Sequence, residues 1–135
     1  MNILILFIIL YLHIYDDYYA QGILANMKQR EWWEKQYTGS IANKDKQREL
    51  YGKDYLMALA EHAFSWAFIT HLPYLIMAVI NPALVPLYII SVIVNTVIHA
   101  IVDNTKANEK KINLITDQSI HFGQIIVTWL VWCLI

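Results

Sequence analysis

Cysteine is nearly absent: Cys133 stands alone in the apolar C-terminal run of a 135-residue chain. One thiol excludes an intramolecular disulfide framework and a zinc site built from Cys ligands, and in that setting it reads as a small packing residue. Charge is scarce as well. Charged residues make up 16% and the formal net charge is -1, against roughly 25% charged residues in soluble globular chains. With no basic stripe and no interleaved aromatics, a bulk electrostatic attraction to nucleic acid is excluded. The start, Met1 to Tyr15, is apolar without a positive stretch before it. Asp16 and Asp17 followed by aromatics replace a small-residue cleavage site, so this run reads as a first helix and not as a secretory leader. No G-x-x-x-G repeat identifies a helix-pairing interface, although a four-helix unit with polar interior faces can self-associate as a homo-oligomer.

What the chain does have is apolar length. Hydrophobic residues make up 58%, above the roughly 45 to 50% of soluble chains, and 135 residues suffice for one domain. Four apolar runs, about Ile3 to Leu24, Tyr55 to Ile80, Ala83 to Val102 and Ile112 to Ile135, each reach the length of a bilayer span. The expected fold is therefore all-α, a single polytopic domain of four transmembrane helices. Pro73 predicts a kink near His71, and Asn81-Pro82 with Pro86 predicts a very short turn, so helices two and three form an antiparallel hairpin. Residues 25–54 form a charged excursion. Trp32, Trp33 and Tyr37 suggest an interfacial helix broken at Gly39 and Ser40, with a helical hairpin folded over the bundle as the equal alternative. This segment is also a candidate surface for a cytoplasmic protein partner.

The basic residues predict the topology. Seven of the ten lysines and arginines lie between Ala25 and Asp54, and the other three are Lys106, Lys110 and Lys111. Both charged loops are thus expected in the cytoplasm and both termini outside, in a bacterial cytoplasmic membrane.

Three His/Asp pairs lie at i,i+4 inside this apolar sequence: His13 with Asp17, His99 with Asp103, and Asp117 with His121. On a 3.6-residue helix each pair shares one face. Ionisable groups are costly in hydrocarbon, so residues of this kind within a span are functional candidates. On the expected topology the three pairs and His62 fall at one depth near the cytoplasmic face, on four helices. Bundles build metal sites from such inward-facing carboxylates and imidazoles. His13, Asp17, His62, His99, Asp103, Asp117 and His121 are the candidate ligands of one or two divalent ions, with zinc, manganese or iron all fitting mixed His/carboxylate ligation. Gln21, Asn95 and Gln118 are candidates for hydrogen-bonding those ligands into place, Glu61 for a general base, and Lys106 for holding an anionic substrate group. The competing reading is a polar core that packs helices or relays protons. Asp16 divides evenly between solvent and site, and His71 reads as a local hydrogen-bonding residue.

Taken in order, His13-x-x-x-Asp17-x-x-x-Gln21, His62, His99-x-x-x-Asp103-x-x-Lys106 and Asp117-Gln118-x-x-His121 resemble a domain-of-unknown-function family of small bacterial and phage integral membrane proteins. The resemblance covers nearly the whole chain, and Tyr18 fits the aromatic usual after the first Asp. The long charged stretch after helix one departs from the pattern. The resemblance carries no established activity. The family is distantly similar to membrane-bound metal-dependent hydrolases, which implies by analogy a metal-dependent hydrolase acting on a phospholipid or similar amphiphilic ester. The abundance of Ile, Asn, Lys and Tyr hints at an AT-rich phage or bacterial genome.

Overall fold

The computed structural model describes residues 2–37 and 44–135, and among them every regular element is helical. Gly39 and Ser40, the expected helix breakers, lie outside the described residues. Helix α1 spans Ile3–Tyr15, opened by the Asn2 side chain accepting from the Leu4 N–H at 3.0 Å. It passes without interruption into a π-helical turn, Asp16–Ala20. Gly22, at φ +49°, then turns the chain away in a conformation that side chains resist. Two short helices, α2 (Leu24–Met27) and α3 (Arg30–Tyr37), lead to α4 (Lys44–Tyr51). The remaining elements are α5 (Asp54–Thr70), α6 (Leu72–Ile80), a 3₁₀ turn at Pro82–Leu84, α7 (Val85–Ala107) and α8 (Leu114–Cys133).

Helices α1, α5, α7 and α8 pack around one core, with α5 against α7 as its most extensive contact. Ala58, Ala63 and Ala67 on α5 are buried, and their small size lets the backbones approach closely. Ile9, Trp66, Tyr74, Val92, Ile125 and Trp132 fill the interior, and the Tyr74 and Trp132 rings stack at 4.5 Å. The outside is as apolar as the inside. Phe7, Ile8, Ile76, Val79, Ile93, Ile101, Ile115 and Val127 are all at least half exposed, while His13, Asp16, His62, His99, Asp117 and His121 are fully buried. This inversion fits a protein solvated by hydrocarbon.

Among the described residues two helices, Ile3–Ala20 and Pro82–Ala107, are long and apolar enough to cross a membrane, and a third qualifies if α5 and α6 count as one bent span. The sequence reading expects four. Helix α8 is the one that falls short: it has 20 residues, but Asp117, Gln118, His121 and Gln124 dilute its apolar content.

The break between α5 and α6 falls at His71, where the two arms diverge by 58°. Pro73 lies in the first turn of α6 and has no N–H to continue the ladder. Side chains reinforce the last turn of α5, where the His71 N–H still donates to the Ala67 carbonyl at 3.1 Å. Thr70 Oγ1 donates to the Trp66 and Ala67 carbonyls at 2.8 and 3.1 Å, and His71 Nδ1 lies 2.7 Å from the Ala67 carbonyl. Asn81 opens the 3₁₀ turn by accepting from the Ala83 N–H, so the expected short connection is present.

Of the two readings for the charged segment, the fold-over describes residues 24–31. Helix α2 packs on α5. The Arg30 N–H donates to Asn108 Oδ1 at 2.8 Å, and Asn108 Nδ2 donates to the Lys28 carbonyl at 3.1 Å. Arg30 also donates to the Tyr55 hydroxyl and lies 4.8 Å from the centre of its ring. Lys110 pairs with Glu31 and holds its carboxyl below the usual range. The segment is thereby tied to both α5 and the α7–α8 loop.

Candidate metal centre

The elements bring the polar residues to one end of the bundle. Asp17 lies just beyond the end of α1, His62 at the middle of α5, His99 and Asp103 toward the end of α7, and Asp117 and His121 in the first turns of α8. Two groups of side chains there could hold a metal ion: Asp17, His62 and His99, and His99, Asp103 and His121, with the ligand atoms of each group within 4.8 Å of one another. His99 belongs to both, so the groups form one continuous cluster.

Asp103 is its centre. Three imidazoles from three helices turn Nε2 toward its carboxylate: His62 at 2.7 Å, His121 at 3.3 Å and His99 at 3.5 Å. The Nδ1 atoms of all three are buried without a protein hydrogen-bond partner among the described residues. The His99 ring is clamped between flat neighbours, 4.2 Å from both Trp66 and His121. A fourth group completes the picture. Lys28, from the charged segment, puts Nζ 2.5 Å from Asp103 Oδ2 and 2.7 Å from His62 Nε2.

Around this centre the predicted residues separate by role. Gln118 Nε2 donates to Asp17 Oδ2 at 3.0 Å and Asp117 Oδ2 at 3.1 Å, while its Oε1 faces His13 Nε2 at 3.0 Å. The direction of this chain follows from the indole at its far end. Trp66 can only donate, and its Nε1 lies 2.7 Å from His13 Nδ1. His13 Nδ1 is therefore an acceptor, and His13 Nε2–H donates to Gln118. Both ring nitrogens are engaged, so His13, expected as a metal ligand, is instead the group that orients Gln118. Asp117 sits at the cluster's edge, with Oδ1 3.5 Å from His121 and without a hydrogen bond, and Oδ2 held by Lys106 at 2.7 Å.

Two further expectations are corrected. Glu61 is exposed on the outer face of α5, because one residue's step along a helix turns it about 100° from His62. Asn95 is buried in a deeper layer, where it bonds Thr128, the Ser91 carbonyl and His71 Nε2, and receives a bond on its own carbonyl from Gln124. Gln21, expected to help hold the ligands in place, donates to Asp16 and to the backbone carbonyl of His62. The burial of Asp16 beside it traces to the π turn. Its extra residue per turn brings Asp16 and Asp17 inward together, so Asp16 is fully buried against Gln21 and Ser65.

Sequence reasoning also missed Lys28 and Trp66. Lys28 sits among charged neighbours that read as a solvated loop, and Trp66 among aromatics with no polar partner nearby in sequence. A cavity of about 380 Å³ opens beside Lys28, lined by Ala25, Gln29, Asp103, Lys106 and Ala107 as well. Asp103 lies at its base, and Lys106, one third exposed, at its side. Comparison with family models finds none that matches this chain, and searches of curated proteins and of solved structures likewise find no match.

Proposed function

We propose that this protein is an integral membrane metallohydrolase whose site lies at the cytoplasmic edge of a four-span bundle. The observation that carries the reading is the convergence of three imidazole Nε2 atoms from α5, α7 and α8 on one buried carboxylate. Burying those groups together is costly in an apolar interior unless a cation compensates them. His62, His99, His121, Asp17 and Asp103 are the residues that would hold it. A divalent ion there supplies Lewis acidity and lowers the pKa of bound water.

The chain's own residues supply the rest. Lys106 lines the cavity that leads to Asp103 and offers an ammonium to a phosphoryl oxygen. Glu61 is too far round α5 to act as base. That role falls to Asp117, whose Oδ1 makes no hydrogen bond, with His121 Nε2 3.5 Å away, while Lys106 and Gln118 hold Oδ2. Gln118 fixes Asp17 and Asp117 together, and His13 with Trp66 fixes Gln118.

The substrate that suits a site at this depth is a phospholipid or another amphiphilic phosphoester. For topology, the positive-inside pattern is the main support, and the contacts of Arg30 and Glu31 with Asn108 and Lys110 agree with both basic segments lying on one side. The test is hydrolysis of a fluorescent phospholipid in mixed micelles by the metal-loaded full chain. Activity that disappears in Asp103→Ala and His121→Ala supports the reading, and activity unchanged in both rejects it.

A second reading rests on Lys28. Its ammonium already neutralises Asp103, as expected of a polar core that fixes helix packing or relays protons while the charged segment engages a partner. That reading expects deletion of residues 39–53 to abolish function and Asp103→Ala to spare it.

A further inference from the structure

We propose that Lys28 is a built-in cation that competes with the metal, and that its displacement assembles an anion site, so that metal and a phosphate group bind cooperatively. The inference rests on the metal-centre reading and adds its regulation.

Lys28 Nζ, His62 Nε2 and Asp103 Oδ2 form a triangle with sides of 2.5, 2.7 and 2.7 Å. No neutral imidazole satisfies both of its contacts. If His62 Nε2 carries a proton, it donates to Asp103 but points N–H at an ammonium. If it carries a lone pair, it accepts from Lys28 but faces a carboxylate oxygen at 2.7 Å. Only a shared positive charge reconciles a lone pair and a carboxylate turned to one point. The ammonium therefore stands where a cation coordinated by His62 and Asp103 would stand, and the two cannot be there together.

Lys28 has somewhere to go. Its side chain is 14% exposed and lines the cavity of about 380 Å³ whose other polar walls are Gln29, Lys106 and Asp103. The backbone need not move. Asn108 anchors the Lys28 carbonyl at 3.1 Å and the next turn of chain through the Arg30 N–H, while four side-chain torsions remain to swing the ammonium outward. Once a divalent ion neutralises Asp103, Lys28 is free to turn beside Lys106, and two ammonium groups and an amide then face one cavity. An anion bound there holds Lys28 out of the cluster. Linkage makes the effect reciprocal: phosphate tightens metal binding by the same factor by which metal tightens phosphate binding.

The experiment titrates the detergent-purified full chain with Co²⁺, read from its visible d–d bands, with and without inorganic phosphate. In the wild type, saturating phosphate is expected to tighten Co²⁺ binding by about tenfold. Lys28→Met removes the internal cation and is expected to bind Co²⁺ about ten- to a hundredfold tighter without phosphate, with no further gain when phosphate is added. Lys28→Arg keeps the charge and is expected to bind Co²⁺ no tighter than wild type. Wild-type affinity indifferent to phosphate overturns the proposal without any variant, as does a Lys28→Met affinity equal to wild type. In both cases Co²⁺ still binds, so the metal centre survives. Absence of Co²⁺ binding by both wild type and Lys28→Met defeats the metal-centre reading itself and the coupling with it.

Discussion

Asp103 faces Lys28 from the charged segment, His62 from α5, His121 from α8 and His99 from its own helix. Replacing one carboxylate oxygen by an amide in Asp103→Asn turns N–H groups toward the Lys28 ammonium and the imidazoles and leaves buried positive charge unpaired. Such losses cost about 3 kcal/mol or more, so thermal unfolding of the detergent-solubilised variant is expected well below that of the wild type. Glu61→Gln is the contrasting change, expected to leave stability and metal content alone because the side chain is on the outer face. Gln118→Leu removes the amide that holds Asp17 and Asp117 together. Metal affinity is expected to fall about ten- to a hundredfold, as for other groups that orient ligands, while the d–d spectrum keeps its form at saturation. The i,i+4 spacing made His99, Asp103 and His121 legible. It could not make His13 legible as anything but a ligand, because the indole that occupies its Nδ1 lies 53 positions away.

At the scale of elements, the π turn shapes the site. A straight α-helix through Asp16–Ala20 would face only one of the two adjacent aspartates inward. The extra residue turns both in and aligns Gln21 with Asp16. Deleting Tyr19, which is 76% exposed, is expected to restore α-helical register and draw Asp17 or Asp16 out of the interior. The expected readout is Co²⁺ affinity lower by at least about tenfold with helix content by circular dichroism preserved. Unchanged affinity would show that the wide turn has no part in the site. Hydrophobic length and proline position predict the helices and the bend at His71, since both are local properties. A π turn has no comparable signature, and adjacent aspartates fit a helix end equally well.

For the whole molecule, the first part of the charged segment packs over the bundle, attached at Arg30 to Asn108 and Tyr55 and at Glu31 to Lys110. In a Cys133→Ser background, Glu31→Cys with Lys110→Cys is expected to form a disulfide under mild oxidation. Because Lys110 lowers the Glu31 pKa, the contribution of the native pair is present above the ordinary carboxylate pKa and is lost as pH falls through the lowered one. Exposed pairs contribute little, so pH across this range is expected to leave thermal stability nearly unchanged. Single cysteines at Glu34 and Lys111 are expected to react with an impermeant maleimide from the same side of the membrane, the side opposite to a cysteine at Asn81. The clustering of lysines and arginines is the sequence signal behind that expectation. The insertion of Lys28 was not legible, because a long flexible side chain in a polar segment carries no periodic signal. The most direct measurement is the metal content of the detergent-purified full chain by elemental analysis. At least one equivalent of zinc, manganese or iron per chain, lost in Asp103→Ala and His121→Ala, is the expected result. Wild-type protein that carries no stoichiometric metal after growth and dialysis with all three ions present would contradict it.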